Sequence, residues 1–275
     1  MHRNLIHILS GCLFFAALSG CADLKEINSF ALTSHQVMVN NKNISYGFFE
    51  FATDSSYIYH PYPGQLLEVD CNCASQKKLD AFTSDECQVT ANYFARLAVF
   101  TDPESAIDAM PVGNALAAGS YGGVVITSEE TTIMTGLATA VSDVLTSGYK
   151  AKKMKLFITI YHDSVQPLIS YLKLRSAIFE ALLVNMKDFL TKEADSLLTI
   201  TSKREVKWPI LISYELQKKE IDREIDLYKK REQDFETLIK AGDLIYQNQE
   251  DLKNKDFIFK LKTVVNELSL NAHPK

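Results

Sequence analysis

The sequence lacks the motifs that mark the common catalytic and metal centres. It contains no H-E-x-x-H zinc motif, no Glu-x-x-His pair of the di-iron bundle type, no dinucleotide-binding glycine fingerprint and no catalytic cysteine signature. After residue 20 it has four histidines, far apart along the chain: His35, His60, His162 and His273. We therefore expect a protein that is not an enzyme and that uses neither a metal ion nor a cofactor.

Two arrangements look like catalytic pairs but have simpler interpretations. His162 precedes Asp163, yet neighbours in a helix point about 100° apart, so we interpret the pair as packing at a helix end. The acids between Glu220 and Asp226 alternate with Ile221 and Ile225, which is typical of the charged, solvated face of a helix.

Cysteine is scarce, and its spacing limits the possible crosslinks. Beyond the N-terminal region the chain has Cys71, Cys73 and Cys87, an odd number for an oxidising compartment. We expect one disulfide from Cys87 to Cys71 or Cys73, which would close a loop of about 15 residues and stabilise the fold by roughly 3 kcal/mol. A zinc site made of these cysteines and His60 is the weaker alternative, because the spacing fits no common ligand pattern.

Long apolar runs are also missing near the N-terminus. The run from Leu13 to Leu18 follows the basic Arg3 and is too short to cross a bilayer, which is typical of a secretory signal peptide. The small residues Ser19 and Gly20 directly before Cys21 resemble the lipobox of bacterial lipoproteins. This resemblance implies cleavage between Gly20 and Cys21, a diacylglyceryl group on Cys21 and acylation of the new amine.

The same resemblance implies a location. Two or more acyl chains hold a protein stably on a membrane, whereas one chain holds it only marginally. Ala22 follows the cysteine, and it is not the acidic residue that in this family accompanies retention in the inner membrane. We expect a lipoprotein on the periplasmic side of the outer membrane, with the inner membrane as the alternative.

The twenty residues from Ala109 to Ser128 carry no charge. Their length suits a membrane span, but Pro111, Asn114 and several glycines argue against a stable one. We expect a buried hairpin between core helices, and transient contact with a membrane is the alternative.

Charge is unevenly distributed along a chain of globular composition, which is 47% hydrophobic and 23% charged. From Cys21 to Tyr149 there are 5 basic and 15 acidic residues, and from Lys150 to Lys275 there are 23 basic and 19 acidic residues. The two halves are expected to attract each other, and nothing in this balance implies a nucleic-acid partner.

Apolar residues recur at helical spacing through most of the chain, which predicts an all-α protein built as an antiparallel bundle. We expect a cleaved signal peptide over 1–20, an N-terminal helix and a loop containing cysteine and proline over 21–75, and the bundle over 76–275. The N-terminal helix should run from Asp23 to about Ala52. Further helix boundaries are predicted at Asp102-Pro103-Glu104, at a capping box over Thr127–Glu130 and at Gly242.

A long helical hairpin over about 163–247 is the main predicted feature of the bundle. Asp163 can cap its first helix, whose first turn would tolerate Pro167, and the segment from Thr201 to Pro209 should separate the two helices. Apolar residues of the second helix are spaced by seven, which favours a coiled-coil pair: Tyr214, Ile221, Tyr228 and Phe235.

The order of features between about Ala91 and Phe189 is similar to a set of uncharacterised helical-bundle periplasmic lipoproteins. In that set a Y-x-x-x-L segment, here Tyr93 to Leu97, precedes a short helix, and a basic helix start, here Lys150 to Lys155, precedes a long apolar helix. The resemblance implies the fold and the compartment, and it carries no catalytic residues.

These features predict a membrane-anchored interaction or scaffold protein of the envelope that presents the hairpin to a protein partner. An immunity or accessory protein that neutralises an exported toxin is a special case. The alternative is a periplasmic carrier of a small ligand or lipid, with a cavity of some 300 to 1,000 Å³ between helices, lined by phenylalanine and tyrosine.

Overall fold

The computed structural model describes residues 24–43, 46–58, 71, 73–105, 117–144, 150–200 and 204–272. The helices are α1 (Leu24–Lys42), α2 (Phe48–Ile58), α3 (Ala74–Thr101), α4 (Ser128–Val144), α5 (Lys150–Ile160), α6 (Gln166–Ile200), α7 (Arg204–Gln247) and α8 (Lys255–Ala272). Two short strands, β1 (Gly119–Tyr121) and β2 (Val124–Ile126), precede α4, and a π-helical turn (Tyr161–Val165) joins α5 to α6. The predicted all-α bundle is confirmed.

Helices α1 and α3 pack along each other and contribute to one apolar core with α6, α7 and α8. The side-chain amide of Asn28, near the start of α1, donates to the carbonyl oxygen of Ala98, near the end of α3, at 2.9 Å. The two helices are therefore antiparallel. The Tyr93 hydroxyl donates to the carbonyl oxygen of Phe157 at 2.9 Å, which fixes α3 against α5.

The prediction of a single N-terminal helix is wrong, because the helix is interrupted between α1 and α2. The backbone N–H groups of Phe48 and Phe49 donate to the two carboxylate oxygens of Asp80 at 2.9 and 2.8 Å. Asp80 belongs to α3, so a residue of another helix caps the start of α2. A Cβ at Gly47 would lie 2.7 Å from this carboxylate, and glycine permits the close approach.

The described part of the uncharged segment is a hairpin, as predicted, but only one face of it is buried. It forms an antiparallel β-hairpin in which Tyr121 pairs with Val124. Gly122 and Gly123 both have positive φ, 58° and 86°, which the tight turn requires and glycine allows. Ile126 is buried against the core, whereas Val125 is 67% exposed. Residues 106–116 lie outside the described residues.

The capping box that opens α4 is confirmed. The N–H of Glu130 donates to the Thr127 hydroxyl at 3.1 Å, and the N–H of Thr127 donates to the Glu130 carboxylate at 3.4 Å. Asp102 terminates α3, because its N–H donates to the carbonyl oxygen of Ala98. Its side chain accepts from the N–H of Glu104 at 3.1 Å, and residues 106–116, where a helix starting here would run, lie outside the described residues.

The long helix does not begin at Asp163. Helix α5 continues through the π-helical turn into α6, where the N–H of Gln166 donates to the carbonyl oxygen of Tyr161 five residues earlier. The wider turn changes the hydrogen-bonding pattern directly before Pro167, a residue that has no N–H to donate. Proline is therefore accommodated inside a continuous helical segment.

Gly242 does not end a helix, because α7 continues to Gln247. Gly242 instead makes room for the ring of Tyr161: a Cβ at this position would lie 2.7 Å from Cδ1 of that ring. The Tyr161 hydroxyl donates to the carbonyl oxygen of Leu238 at 2.7 Å. The Tyr161 ring thus joins the π-helical turn to α7, because it packs against the position where Gly242 has no side chain.

Helices α6 and α7 form the predicted antiparallel hairpin. Four polar pairs join them, and successive pairs are seven residues apart on both helices: Gln166 with Asp243 (2.8 Å), Lys173 with Glu236 (3.0 Å), Glu180 with Lys229 (3.8 Å) and Lys187 with Asp222 (2.5 Å). We call these four pairs the polar ladder. Matching heptad intervals on both helices are the geometry of a coiled pair.

The predicted heptad seam is also confirmed, since Ile221, Tyr228 and Phe235 are buried and Tyr214 is half-buried. The predicted break over 201–209 is shorter than expected. Helix α7 begins at Arg204 and includes Pro209, and residues 201–203 lie outside the described residues. No helix in the described part of the chain is long and apolar enough to cross a membrane.

Helix α1 starts at the end of the bundle that is remote from the tip of the hairpin. The ring of Phe30 in α1 lies 6.2 Å from that of Tyr161, and the ring of Tyr46, just after α1, lies 6.3 Å from that of Phe179. Helices α1 and α6 therefore run in the same direction. From Tyr161 to the end of α6 the helix extends about 60 Å at 1.5 Å per residue.

Candidate functional site

The predicted disulfide from Cys87 to Cys71 or Cys73 is wrong in this structure. Cys71 is bonded to Cys73, and Cys87 is a free, buried thiol. Cys73 directly precedes α3 and Cys87 lies on it, fourteen residues later, which places them about 21 Å from each other. A disulfide needs Cα atoms within about 7 Å. Burial raises the pKa of the Cys87 thiol to about 12, so it is protonated and unreactive.

The other predicted site residues have the following positions. Gly20 and Cys21, the cleavage and lipidation residues, lie outside the described residues, and so does His60. Across the described ranges, no group of three or more histidine, cysteine, aspartate or glutamate residues is arranged to hold a metal ion.

His162 and Asp163 contact each other, although their adjacent positions in a helix predicted side chains that point apart. Nδ1 of His162 lies 2.9 Å from a carboxylate oxygen of Asp163, although the two residues are adjacent in the chain. The His162 ring also stacks on Tyr246, with centroids 3.9 Å apart. These contacts join the π-helical turn to the end of α7, and both side chains are partly open to solvent.

A cluster of buried charges lies at the middle of the bundle. Arg175 of α6 is 4% exposed and forms ion pairs with Glu86 of α3, which is 0% exposed, and Glu130 of α4, which is 1% exposed. The guanidinium also lies 5.5 Å from the centre of the Phe82 ring. We call Arg175, Glu86 and Glu130 the buried triad.

The triad places two carboxyl groups against one guanidinium, so the charges do not balance. Burial raises the pKa of Glu130 to about 7, with a smaller opposing effect from the hydrogen bond of the Thr127 backbone. Burial lowers the pKa of Arg175 to about 9. A buried charge without a full partner is costly, and this cost is the reason for the raised pKa of Glu130.

A cavity of about 510 Å³ adjoins the triad between α1, α2, α3, α6 and α7. Its lining has four basic side chains and two acidic ones: Lys42, Lys77, Arg175, Arg231, Glu50 and Asp80. The Cys87 thiol, the hydroxyls of Thr83 and Ser84, and the rings of Phe49, Tyr228 and Phe235 complete most of the wall. We call this space the basic cavity.

A second cavity, of about 270 Å³, lies further along the hairpin and has the opposite charge. Its acidic side chains are Asp54, Glu220 and Glu224, and the Tyr46 hydroxyl donates to Asp54 at 2.9 Å. Glu224 is buried, so the prediction of a solvated acidic face over 220–226 is wrong for this residue. The Asp222 side chain is half exposed and pairs with Lys187 in the polar ladder.

Exposed apolar side chains are concentrated near the tip of the hairpin. Of the twelve large exposed apolar residues in the described part of the chain, four lie within nine positions of α7: Trp208, Leu211, Ile212 and Leu216. Trp208, the single tryptophan of the chain, is 55% exposed, and Leu216 is 62% exposed. We call these four residues the tip stripe. Four-residue steps place Trp208, Ile212 and Leu216 on one side of the helix.

Sequence reasoning missed the basic cavity and the buried triad, although part of the signal was visible. Arg175 interrupts the apolar series Leu172, Phe179 and Leu183 at helical spacing, and Glu86 interrupts the series Phe82, Val89 and Tyr93 in the same way. A charged residue on an apolar face predicts a buried partner of opposite sign. Which partner it finds depends on how the helices are packed.

Comparison of the chain with protein-family models, with curated proteins and with solved structures found no match.

Proposed function

We propose that this protein is a non-enzymatic envelope lipoprotein that presents the tip of its helical hairpin to a protein partner. The observation that carries the proposal is the tip stripe, a concentration of apolar side chains on a helix that no described element covers. Exposed apolar groups of this kind commonly mark interaction sites. Tryptophan in particular is enriched among the residues that contribute most to binding.

The partner we propose is a protein with an apolar groove that accepts one side of α7. Residues at i, i+4 and i+8 are the anchors of helix-in-groove recognition, and Trp208, Ile212 and Leu216 have this spacing. Lys219 follows the stripe, so an acidic group at the rim of the groove would complement it, whereas Lys218 is already paired with Glu215 at 2.6 Å.

The direction of α1 supports an anchor at Cys21. Leu24 begins α1 three residues after Cys21, and three residues of extended chain span about 10 Å at most. A lipid on Cys21 would hold that end of the bundle close to the membrane, with the tip stripe about 60 Å away. Tethering both partners to one envelope also raises their effective concentration, so a modest affinity suffices.

The experiment is crosslinking in intact cells followed by purification, comparing the native chain with a triple variant, Trp208→Ser, Ile212→Ser and Leu216→Ser. We expect one dominant partner that the triple variant loses. The matched control is Leu174→Ser with Phe259→Ser, which removes apolar residues that are 57% and 73% exposed elsewhere on the surface. The control should retain the partner, and circular dichroism should show unchanged helix content in both variants.

A second measurement uses the purified partner. Because Trp208 is the single tryptophan and is exposed, its emission should shift to shorter wavelength when a tryptophan-free form of the partner is added. A partner that binds the triple variant as tightly as the native chain would refute the proposal, and so would recovery of the protein alone from crosslinked cells.

A second candidate function is a carrier for a small ligand. The observation that favours it is the basic cavity, whose volume of about 510 Å³ lies in the range of ligand sites. Its lining is more charged than the aromatic lining expected for a carrier of apolar molecules.

A further inference from the structure

We propose that the basic cavity binds a small organic phosphate, with the phosphate group held by Arg231, Lys42 and Lys77. The inference deepens the carrier candidate by naming its ligand chemistry. It does not depend on the tip stripe, which lies on another part of α7.

Three cationic side chains that line the cavity form no ion pair with a carboxylate of the described residues. Within the described part of the chain, no carboxylate oxygen lies within 4.0 Å of the charged nitrogens of Arg231, Lys42 or Lys77. Arg231 lies over the Tyr228 ring at 4.3 Å, Lys42 donates to the side-chain oxygen of Gln88 at 2.5 Å, and Lys77 lies 5.8 Å from the centre of the Phe49 ring. Their charges are therefore available to a ligand.

The two acids of the lining are already engaged. Asp80 accepts from two backbone N–H groups at the start of α2, and Glu50 accepts from the N–H of Gly47 at 3.0 Å. These donors lie at the positive end of the α2 dipole, which partly compensates both carboxylates. The cavity therefore carries an excess of positive charge, inside a protein whose net charge is −5.

Arg175 adds a donor to the lining of the cavity. Its side chain is 4% exposed, and its Nε–H has no acceptor among the described residues although the guanidinium is paired with Glu86 and Glu130. The Ser84 hydroxyl is a further donor on the wall, whereas the Thr83 hydroxyl already donates to the carbonyl oxygen of Leu79 at 2.9 Å. Burial lowers the pKa of the half-buried Arg231, and an anion nearby would stabilise its charged form.

The shape favours an organic phosphate over a bare ion. A volume of about 510 Å³ is larger than one phosphate fills, and Phe49, Phe235 and Leu172 give apolar wall for the rest of the molecule. Guanidinium groups match the geometry of phosphate oxygens through paired N–H donors, which favours phosphate at Arg231.

The experiment is calorimetric titration of the purified protein with phenyl phosphate, with phenol, benzoate and inorganic phosphate as comparison probes. We expect phenyl phosphate to bind at least tenfold more tightly than phenol, and inorganic phosphate to compete with it. Benzoate binding as tightly as phenyl phosphate would overturn the choice of phosphate over carboxylate. If inorganic phosphate bound as tightly as phenyl phosphate, the inference that the ligand carries an organic group would be overturned.

Paired variants test the position of the site. Lys77→Gln should weaken binding of phenyl phosphate about fivefold, whereas Lys78→Gln should change it less than twofold, because Lys78 is the next residue but does not line the cavity. Arg231→Gln should weaken binding more than tenfold, against little change for the exposed Arg223→Gln on the same helix. Absence of binding by any anionic probe, or equal binding by Lys77→Gln and Lys78→Gln, would overturn the proposal and leave the tip stripe unaffected.

Discussion

At the scale of single residues, the buried triad is the least ordinary feature of this bundle. Two carboxyl groups and one guanidinium are removed from water at the junction of α3, α4 and α6. Such clusters are weak evidence of stability, because the loss of hydration offsets most of the attraction between the charges. Glu130 has a second role, since it also completes the capping box of α4.

The raised pKa of Glu130 predicts a pH dependence of stability. The folded state, where this pKa is about 7, binds the proton more tightly than an unfolded chain, where it is about 4.3. The stability that Glu130 contributes is therefore complete below pH 4.3 and is lost as the pH rises through 7, by about 4 kcal/mol at most. Glu130→Gln should reduce the difference in free energy of unfolding between pH 5 and pH 8.

Urea unfolding at the two pH values measures this effect. Glutamine keeps the capping box, so the variant removes the charge with little change at the start of the helix. Glu129→Gln is the control, because Glu129 is exposed in the same turn of α4 and should leave the pH dependence unchanged. An identical pH dependence in the two variants would mean that Glu130 is not the titrating group.

At the scale of elements, the π-helical turn and α7 are fitted to each other. The turn brings the Tyr161 ring against Gly242, and the hydroxyl of Tyr161 reaches the carbonyl oxygen of Leu238. The polar ladder then keeps one register along the hairpin, since each of its pairs would be lost if either helix moved by one residue. Each exposed pair contributes little free energy, about 0.2–1 kcal/mol, so its main effect is on register.

Substitution of Gly242 tests the contact with Tyr161. Alanine normally stabilises a helix relative to glycine by about 0.5–1 kcal/mol, but here its methyl group would overlap the tyrosine ring. We expect Gly242→Ala to lower the free energy of unfolding by about 1–3 kcal/mol. Gly136→Ala in α4, with nothing within 4 Å of the new Cβ, should raise it by about 0.5–1 kcal/mol.

A double variant separates overlap from other causes. With Tyr161→Leu, the ring is removed and Gly242→Ala should become neutral or stabilising, which a thermal unfolding cycle would measure. The same destabilisation by Gly242→Ala with and without the ring would show that Tyr161 is not the obstacle.

At the scale of the whole molecule, the start of α1 and the tip of the hairpin lie at opposite ends. Helices α1 and α6 run in the same direction, because Phe30 contacts Tyr161 near the start of both segments and Tyr46 contacts Phe179 further along both. The proposed anchor at Cys21 would attach the protein at one end, and the tip stripe at the other end could then contact a partner at a distance from the membrane. That geometry is what makes the lipid anchor and the tip stripe parts of one proposal.

The proposed orientation can be measured through Trp208. In lipidated protein reconstituted into vesicles, brominated lipids should leave the emission of Trp208 almost unchanged, because the tip lies about 60 Å from the α1 end. Leu24→Trp combined with Trp208→Phe places the probe at the start of α1, next to the proposed anchor, as a positive control. Strong quenching of Trp208 in the native chain would mean that the hairpin tip lies on the membrane.

The sequence by itself determined the helical nature of the chain and the heptad seam of the hairpin. Apolar spacing is a local property, and Ile221, Tyr228 and Phe235 are buried as their interval of seven predicted. The capping box at Thr127 and Glu130 is equally local, because both of its hydrogen bonds join residues three apart.

Only the tertiary structure decided the features that depend on distant residues. The helix is interrupted before α2, where Asp80, thirty-two residues further along the chain than Phe48, caps the first N–H groups of α2. The predicted pairing of Cys87 is wrong because a rigid helix separates it from Cys73, whereas a loop-closure estimate treats the intervening chain as flexible. The charges of the basic cavity converge from several helices, and their proximity depends on packing that no local pattern encodes.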